Sequence, residues 1–282
     1  MEIRKLQHAD VLRFLPDRRP WSHKGNYGKI LLLCGSRGFT GAAYLAAMGA
    51  LRTGAGLVFL GVPEGIYAIE AVKLNEAIVF PLPEDSGKLS TAALPQILDQ
   101  LPKMDAVLIG CGLGQSPEVE KVVCTVLEQA QCPVVVDADG INLLSGHMDI
   151  LRGRKNPTVL TPHDGEFCRL GGVLSQDRMA CAAEYAREWN SIVVLKGHES
   201  SITDGITGYL NQTGNPGMAV GGSGDLLAGM TVSLLGQGIA PLEAAACAAW
   251  LHGAAGDLCS EAFGQYAMLP TDMLGTLPRL MK

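Results

Sequence analysis

Short, unbroken apolar runs recur along the chain, separated by longer stretches whose apolar positions suit helices. The runs within Lys29–Cys34, Leu57–Val62, Asp105–Ile109, Pro133–Val136, Thr158–Leu160 and Ile192–Leu195 are rich in Val, Ile and Leu and lack polar alternation. A strand that is apolar on both sides has both faces covered, which is characteristic of parallel sheets. The intervening stretches predict helices at Ala42–Arg52, near 64–73, near 91–100, from Pro117 onward, and near 177–189, 225–236 and 241–262. A short strand is predicted near Ala77–Phe80. Ser116-Pro117 supplies a helix cap followed by proline at the first helical position. Asp204-Gly205 between two β-like runs predicts a hairpin. Residues 1–28 read as a polar approach, and those after 262 as a short tail.

Strands alternating with helices point to an α/β fold, a mostly parallel central sheet with helices on both faces. No composition break or repeat marks a linker, so residues 1–282 read as a single domain. In an open parallel sheet the loops that follow the strands lie along its carboxyl edge, where ligands bind. Six such loops are rich in Gly, Asp and His: 35–41, 110–114, 137–140, 161–166, 196–200 and 213–224.

The last of these loops carries the most chemistry. Thr213-Gly214-Asn215-Pro216-Gly217 leads into Gly221-Gly222-Ser223-Gly224, and Asp225 then opens an apolar helical run. Glycines let a ligand approach the backbone, and the unpaired N–H groups of a helix start favour phosphate oxygens. A carboxylate beside a phosphate needs a proton-transfer role or a cation to explain it. Asp225 can also be read as an ordinary first-turn acid. The loop is neither a Walker loop nor a Gly-x-Gly-x-x-Gly turn, because no Lys-Ser/Thr follows its glycines.

Composition narrows the partners. Apolar residues make up 48% of the 282 and charged residues 18%, which suits a large buried core. A formal net charge of −6 argues against nucleic acid or an anionic membrane as the main partner. The eight cysteines show neither Cys-x-x-Cys pairs nor zinc spacing, which suggests reduced thiols. The N-terminus has no apolar core of a signal peptide and no run is long enough to span a bilayer, so a cytoplasmic protein is expected.

Together these motifs resemble a known family. His23-Lys24-Gly25, Gly35-Ser36 with Gly41-Ala42-Ala43, Val136-Asp137-Ala138-Asp139, Leu160-Thr161-Pro162-His163-Asp164-Gly165-Glu166, Leu195-Lys196-Gly197, Gly214-Asn215-Pro216-Gly217 and Gly221–Gly229 are similar to the ADP/ATP-dependent NAD(P)H-hydrate dehydratases. These form a branch of the ribokinase-like superfamily, and the resemblance covers roughly residues 20–275. It implies a repair lyase that returns the S form of hydrated NADH or NADPH to NAD(P)H through a phosphorylated intermediate. ADP would be the donor, giving AMP and phosphate, with Mg²⁺ accompanying the phosphates. The resemblance further implies a homo-tetramer and a separate epimerase partner, since the short N-terminal extension has no room for the epimerase domain some members carry upstream.

The resemblance also implies roles for individual residues. Asp225 would act as base or hydroxyl-orienting group, with Gly222 and Gly224 in the phosphoryl-holding turn and a helix N-terminus lowering the carboxyl's pKa. Ala42, Gly112, Gly114, His163 and Asp225 would bind the hydrated dinucleotide. The donor would lie against Lys196, Gly197, His198, Glu199 and Ser200, and against Asn215, Pro216, Gly217, Met218, Ala219, Val220, Gly221, Gly222, Ser223 and Gly224. Several positions have plainer readings: His163 as a helix cap, Lys196 as a solvated lysine, Asp137 and Asp139 as turn formers, and His252 as a packed core histidine. Glu166 is open between magnesium placement and a first-turn acid. Two rival functions share part of this pattern: an ATP-dependent kinase of the same superfamily acting on a vitamin-precursor alcohol, and a nucleotide-binding regulator without turnover.

Overall fold

The structure, a computed structural model, describes residues 2–282. Its strands are β1 (Glu2–Arg4), β2 (Lys29–Leu33), β3 (Leu57–Pro63), β4 (Ile78–Leu82), β5 (Glu84–Asp85), β6 (Lys88–Leu89), β7 (Ala106–Ile109), β8 (Val134–Val136), β9 (Thr158–Leu160), β10 (Ile192–Leu195), β11 (Ser200–Thr203) and β12 (Thr207–Asn211). Its helices are α1 (His8–Phe14), α2 (Thr40–Arg52), α3 (Glu64–Lys73), α4 (Leu94–Gln100), α5 (Pro117–Gln129), α6 (Asp139–Leu144), α7 (Met148–Gly153), α8 (Asp164–Arg169), α9 (Arg178–Glu188), α10 (Ser223–Gly236), α11 (Pro241–Phe263) and α12 (Pro270–Leu280).

Ten strands form one sheet in the order β1-β12-β11-β10-β9-β8-β7-β2-β3-β4. All neighbours are parallel except at β11, which runs antiparallel to both β10 and β12. The apolar runs supply both faces. Ile30 and Leu32 of β2 enter one core with α2, α10 and α11, while Leu31 and Leu33 enter a second with α5, α6 and α9. The alternation repeats in β7, with Ala106 and Leu108 on the first side and Val107 and Ile109 on the second. The Asp204-Gly205 hairpin forms, Asp204 Oδ1 accepting from the N–H groups of Ile206 and Thr207 at 2.8 Å each.

Both chain ends differ from the expectation. The polar approach contains β1, which extends the sheet beside β12, and α1, which inserts the fully buried Val11 into the first core. The tail after 262 forms α12, with Met273, Leu274 and Leu277 buried against that core. The helix expected near 91–100 is a 3-10 turn at Thr91–Ala93 followed by α4. α10 begins at Ser223, two residues before the expected start, which brings Gly224 and Asp225 into its first turn.

α10 is placed by small residues. Gly229 lies so close to α2 that a Cβ there would fall inside the Ala46 backbone. Replacing Gly229 by Ala is therefore expected to lower unfolding free energy by about 1–3 kcal/mol through overpacking, although alanine is the better helix former by roughly 1 kcal/mol. Urea unfolding of the two proteins measures the difference, and equal or greater stability in the variant would contradict so tight a crossing.

Candidate active site

The carboxyl ends of β8, β9 and β10 bring a charged cluster to the start of α10. Asp137, directly after β8, is buried, and Lys196, directly after β10, is one-fifth exposed; Lys196 Nζ donates to Asp137 Oδ1 at 2.9 Å. Thr161 Oγ1 donates to the same oxygen at 2.6 Å, and Cys111 Sγ donates to Asp137 Oδ2 at 3.6 Å. Glu166, also buried, places Oε2 at 3.7 Å from the Lys196 ammonium. Burial works against the Asp137 charge, but Lys196 and the hydrogen bonds outweigh it and hold the carboxyl below its usual range. The converse holds for Lys196: burial disfavours the cation, yet Asp137 and Glu166 raise its pKa. Contact with Cys34, together with burial, pushes the Cys111 thiol up, so it stays protonated and available as a donor.

Asp225 is the carboxylate this cluster does not neutralise. Its oxygen, an Asp137 oxygen and the Cys111 sulfur lie within 4.8 Å of one another. Burial first, and the neighbouring Asp137 charge second, push Asp225 up to about 6. This corrects the expectation that a helix N-terminus would lower it. The first-turn amides act on Asp225 locally, but desolvation and a like charge from β8 outweigh them. Gly224 sits over the ion pair, the position of a Cβ there being 3.4 Å from Lys196 Nζ and 3.8 Å from Asp137 Oδ2. Gly222 caps α10 in the left-handed region at φ 94°, packed on Leu45. The first amides of an α-helix lack intrahelical partners, so this turn offers donors to an anion.

A cleft of about 770 Å³ opens beside the cluster. Its floor includes Lys196, Gly197, His198 and Ser200, and α10 contributes Ser223 and Gly224. Asn215, Pro216 and the run Met218–Gly221 form the opposite wall. Of the proposed donor contacts, Glu199, Gly217 and Gly222 lie outside the lining. Glu199 accepts from Gln212 Nε2 at 2.7 Å, and the Gly217 N–H donates to Asn215 Oδ1 at 3.0 Å. His163 lines the same cleft and also caps α8, its Nδ1 accepting from the Gly165 N–H at 3.0 Å. The cap is thus present, and of the residues expected to bind the dinucleotide His163 is the one that lines this cleft, which otherwise gathers expected donor contacts.

Ala42, Gly112 and Gly114, also expected to bind the dinucleotide, lie outside the lining of this cleft. Gly112 is seated on α2, where a Cβ would lie 2.7 Å from the Ala42 Cβ. The Gly114 N–H donates to Asp139 Oδ2 at 2.8 Å, so Asp139 secures this loop rather than only opening α6. Ala138 between the two aspartates has φ 49° and ψ −117°, a costly conformation for a residue with a Cβ. It lets Asp137 turn into the cluster while Asp139 reaches the Gly114 loop. Asp137, read from the sequence as a turn former, is instead the buried hub of the site. The signal was present in a carboxylate directly following three consecutive valines. His252 is buried, as expected of a core histidine, and burial lowers its pKa to about 4. It also lines the cleft, with Nε2 3.3 Å from Ser223 Oγ. Glu166 accepts from the His163 N–H at 2.9 Å, the geometry of a first-turn acid.

Magnesium does not fit the Cys111, Asp137 and Asp225 group as a dedicated cage. A hard cation prefers oxygen ligands over a thiol, and Asp137 already carries the Lys196 ammonium.

The family model described as NAD(P)H-hydrate dehydratase matches residues 30–279. The ADP-dependent (S)-NAD(P)H-hydrate dehydratase of Bacillus subtilis is 37% identical over 274 residues, 95% of this chain and 94% of its own. The chain belongs to the NAD(P)H-hydrate dehydratase family. Its fold is ribokinase-like. The Bacillus subtilis ADP/ATP-dependent NAD(P)H-hydrate dehydratase co-crystallised with ATP/Mg²⁺ superimposes with a TM-score of 0.86 at 33% identity, covering 99% of this chain and 98% of that one. The bifunctional NAD(P)H-hydrate repair enzyme Nnr of Moorella thermoacetica is 46% identical over 275 residues, 95% of this chain. The chain spans about half the length of that relative and of the other bifunctional ones it matches, 52% in this case.

The raised Asp225 pKa has a consequence for stability in this family member. A carboxyl whose folded pKa is about 6, against an ordinary 3.8, contributes stability that is fully present below the ordinary value. That contribution is lost as pH rises through the folded value. The depressed His252 acts with the opposite sign, but it is common to wild type and an Asp225 variant. Asp225→Asn is therefore expected to be more stable than wild type above pH 6, with the advantage closing as pH falls toward 4. Denaturant unfolding across this range checks it, and a wild type more stable than the variant at neutral pH would contradict the burial of an uncompensated charge.

Proposed function

We propose that the protein is an ADP-dependent dehydratase that converts the S form of hydrated NADH or NADPH back to NAD(P)H. The observation that carries this reading is the position of Asp225. It stands in the first turn of α10, directly after Gly224 of a nucleotide-sized cleft, and its oxygen lies within 4.8 Å of the sulfur of Cys111, whose chain neighbour Gly112 packs on Ala42. The ring hydroxyl enters from the Ala42–Gly112 side, and Asp225 orients it and takes its proton. A carboxyl poised near neutrality suits that role. The hydroxyl oxygen attacks the β-phosphorus of ADP, the bond to the bridging oxygen breaks, and AMP departs. The amides at Gly221–Gly224 and the Lys196 ammonium stabilise the charge on the transferred group. Phosphate then leaves with the electrons of the C–O bond, while a neighbouring ring proton passes to water and its C–H electrons restore the double bond. Hydroxide is a poor leaving group and phosphate a good one, which is why a nucleotide is consumed.

Magnesium enters, in this reading, as the counter-ion of the nucleotide. A homo-tetramer belongs to the same reading, and Ile69 and Val72 of α3 and Ile78 of the edge strand β4, all apolar and exposed, support a subunit contact. An epimerase partner also belongs to it, in keeping with relatives named as bifunctional NAD(P)H-hydrate repair enzymes. A cytoplasmic location is supported by eight unpaired cysteines. Among the described residues no helix is long and apolar enough to cross a membrane. The Bacillus subtilis relative named as a dehydratase favours this reading over the kinase alternative.

The test is to incubate the purified protein with (S)-hydrated NADH, Mg²⁺ and either ADP or ATP, following nicotinamide absorbance and the nucleotide product. Absorbance should return with ADP while AMP accumulates. Asp225→Asn should lower the rate on the order of 10²–10⁴-fold while ADP still binds. No return of absorbance with either nucleotide would overturn the reading, and near-normal turnover in the variant would reduce Asp225 to a helix acid.

A further inference from the structure

The wall of the cleft opposite Lys196 is the loop between β12 and α10, and one face of α11 dictates its shape. At the loop's start, Asn211 Nδ2 donates to the Ala249 carbonyl at 3.2 Å and Thr213 Oγ1 to the Trp250 carbonyl at 2.9 Å. One turn further along α11, Gly253 faces Thr213 so closely that a Cβ there would collide with the threonine. Gly256 likewise has Met218 against it. Asp257 follows on the same face and is half-buried. Its Oδ2 accepts from the Gly214 N–H at 2.9 Å and its Oδ1 from Asn215 Nδ2 at 3.0 Å.

This last pair fixes more than distance. An ionised carboxylate only accepts, so Asn215 must turn its amide NH₂ toward Asp257. That leaves Asn215 Oδ1 facing the other way, where it accepts from the Gly217 N–H at 3.0 Å. The orientation of one amide thereby sets the turn at Pro216–Met218, a stretch that forms the cleft wall. The bonds of Asn211 and Thr213 to α11 end on helix carbonyls, whereas Asp257 contributes a charged acceptor to this face.

We propose that Asp257 is the positioning residue of the donor site, holding the loop at Gly214–Gly217 in the form that receives the nucleotide; this rests on the assignment of the cleft to the donor. Asp257 touches neither reacting atom nor Asp225. Its loss therefore acts on nucleotide affinity and leaves the chemical step alone. Asp257→Asn places an NH₂ opposite one of two donors and removes the charge from both hydrogen bonds, an effect expected to weaken ADP binding about tenfold.

The test measures ADP affinity by calorimetry for wild type, Asp257→Asn and Gly253→Ala, together with KM for ADP and kcat for Asp257→Asn. Both variants should bind ADP about tenfold more weakly, and for Asp257→Asn kcat at saturating ADP should stay within about twofold. Gly253 also lines the cleft, so Gly253→Ala, which improves helix propensity, reads loop and cleft shape together, and unchanged affinity there counts against the α11 face as what shapes the loop even if Asp257→Asn does not fold. Unchanged ADP affinity in folded Asp257→Asn, or in Gly253→Ala should the first not fold, would overturn the proposal. So would a matching loss of kcat with KM unchanged. A wild type that binds ADP but does not restore NADH would remove the dehydratase reading and leave this one standing. A wild type that binds no adenine nucleotide would remove both.

Discussion

The site depends on the buried ion pair between Asp137 and Lys196. Removing two charges from water is costly, and their mutual attraction compensates only when the remaining valences are filled. Here Thr161 and Cys111 occupy the other positions on the carboxylate, and Glu166 approaches the ammonium from a second direction. A pair satisfied in this way is rigid. It fixes a negative charge beside Asp225, which adds to the effect of burial on that carboxyl, and a positive one on the lining of the cleft.

The fold supplies that pair by topology rather than by local sequence. β8, β9 and β10 are adjacent and parallel, so the residues that follow them emerge side by side at one edge. Asp137, Thr161 and Lys196 are those residues. α10 then has to bring its first turn down on them, and the close Gly229–Ala46 crossing with α2 permits it. The strained Ala138 belongs to the same arrangement, because it splits the two carboxylates that flank it between the Lys196 cluster and the Gly114 loop.

Much of this was legible in the sequence, and the parts that were not share a cause. Strands buried on both faces announce themselves as continuous apolar runs, and their order of loops located the carboxyl edge. β1 was illegible because all three of its residues are exposed and only pairing with β12 makes it a strand. α6, α7 and α8 are too short to show a helical period, and α12 contains Pro278. The glycine turn and Asp225 were visible as a motif, but the direction of the Asp225 shift was not. A helix start is a local feature, whereas the opposing charge comes from a distant strand. For the same reason Asp137 looked like a turn residue, and Asp257 drew no notice in a helix whose partner loop lies across the sheet edge.

The central claim is that Asp225 is held near neutrality by burial and by Asp137. It is tested most directly by a carbon-13 NMR titration of the Asp225 carboxyl, assigned by comparison with Asp225→Asn. The account predicts a midpoint near the value of about 6 in the wild type. It also predicts a lower midpoint in Asp137→Asn, where the like charge is gone and the Lys196 ammonium is left facing Asp225. A midpoint at the ordinary 3.8 in the wild type, or one that does not move when Asp137 is neutralised, would contradict it.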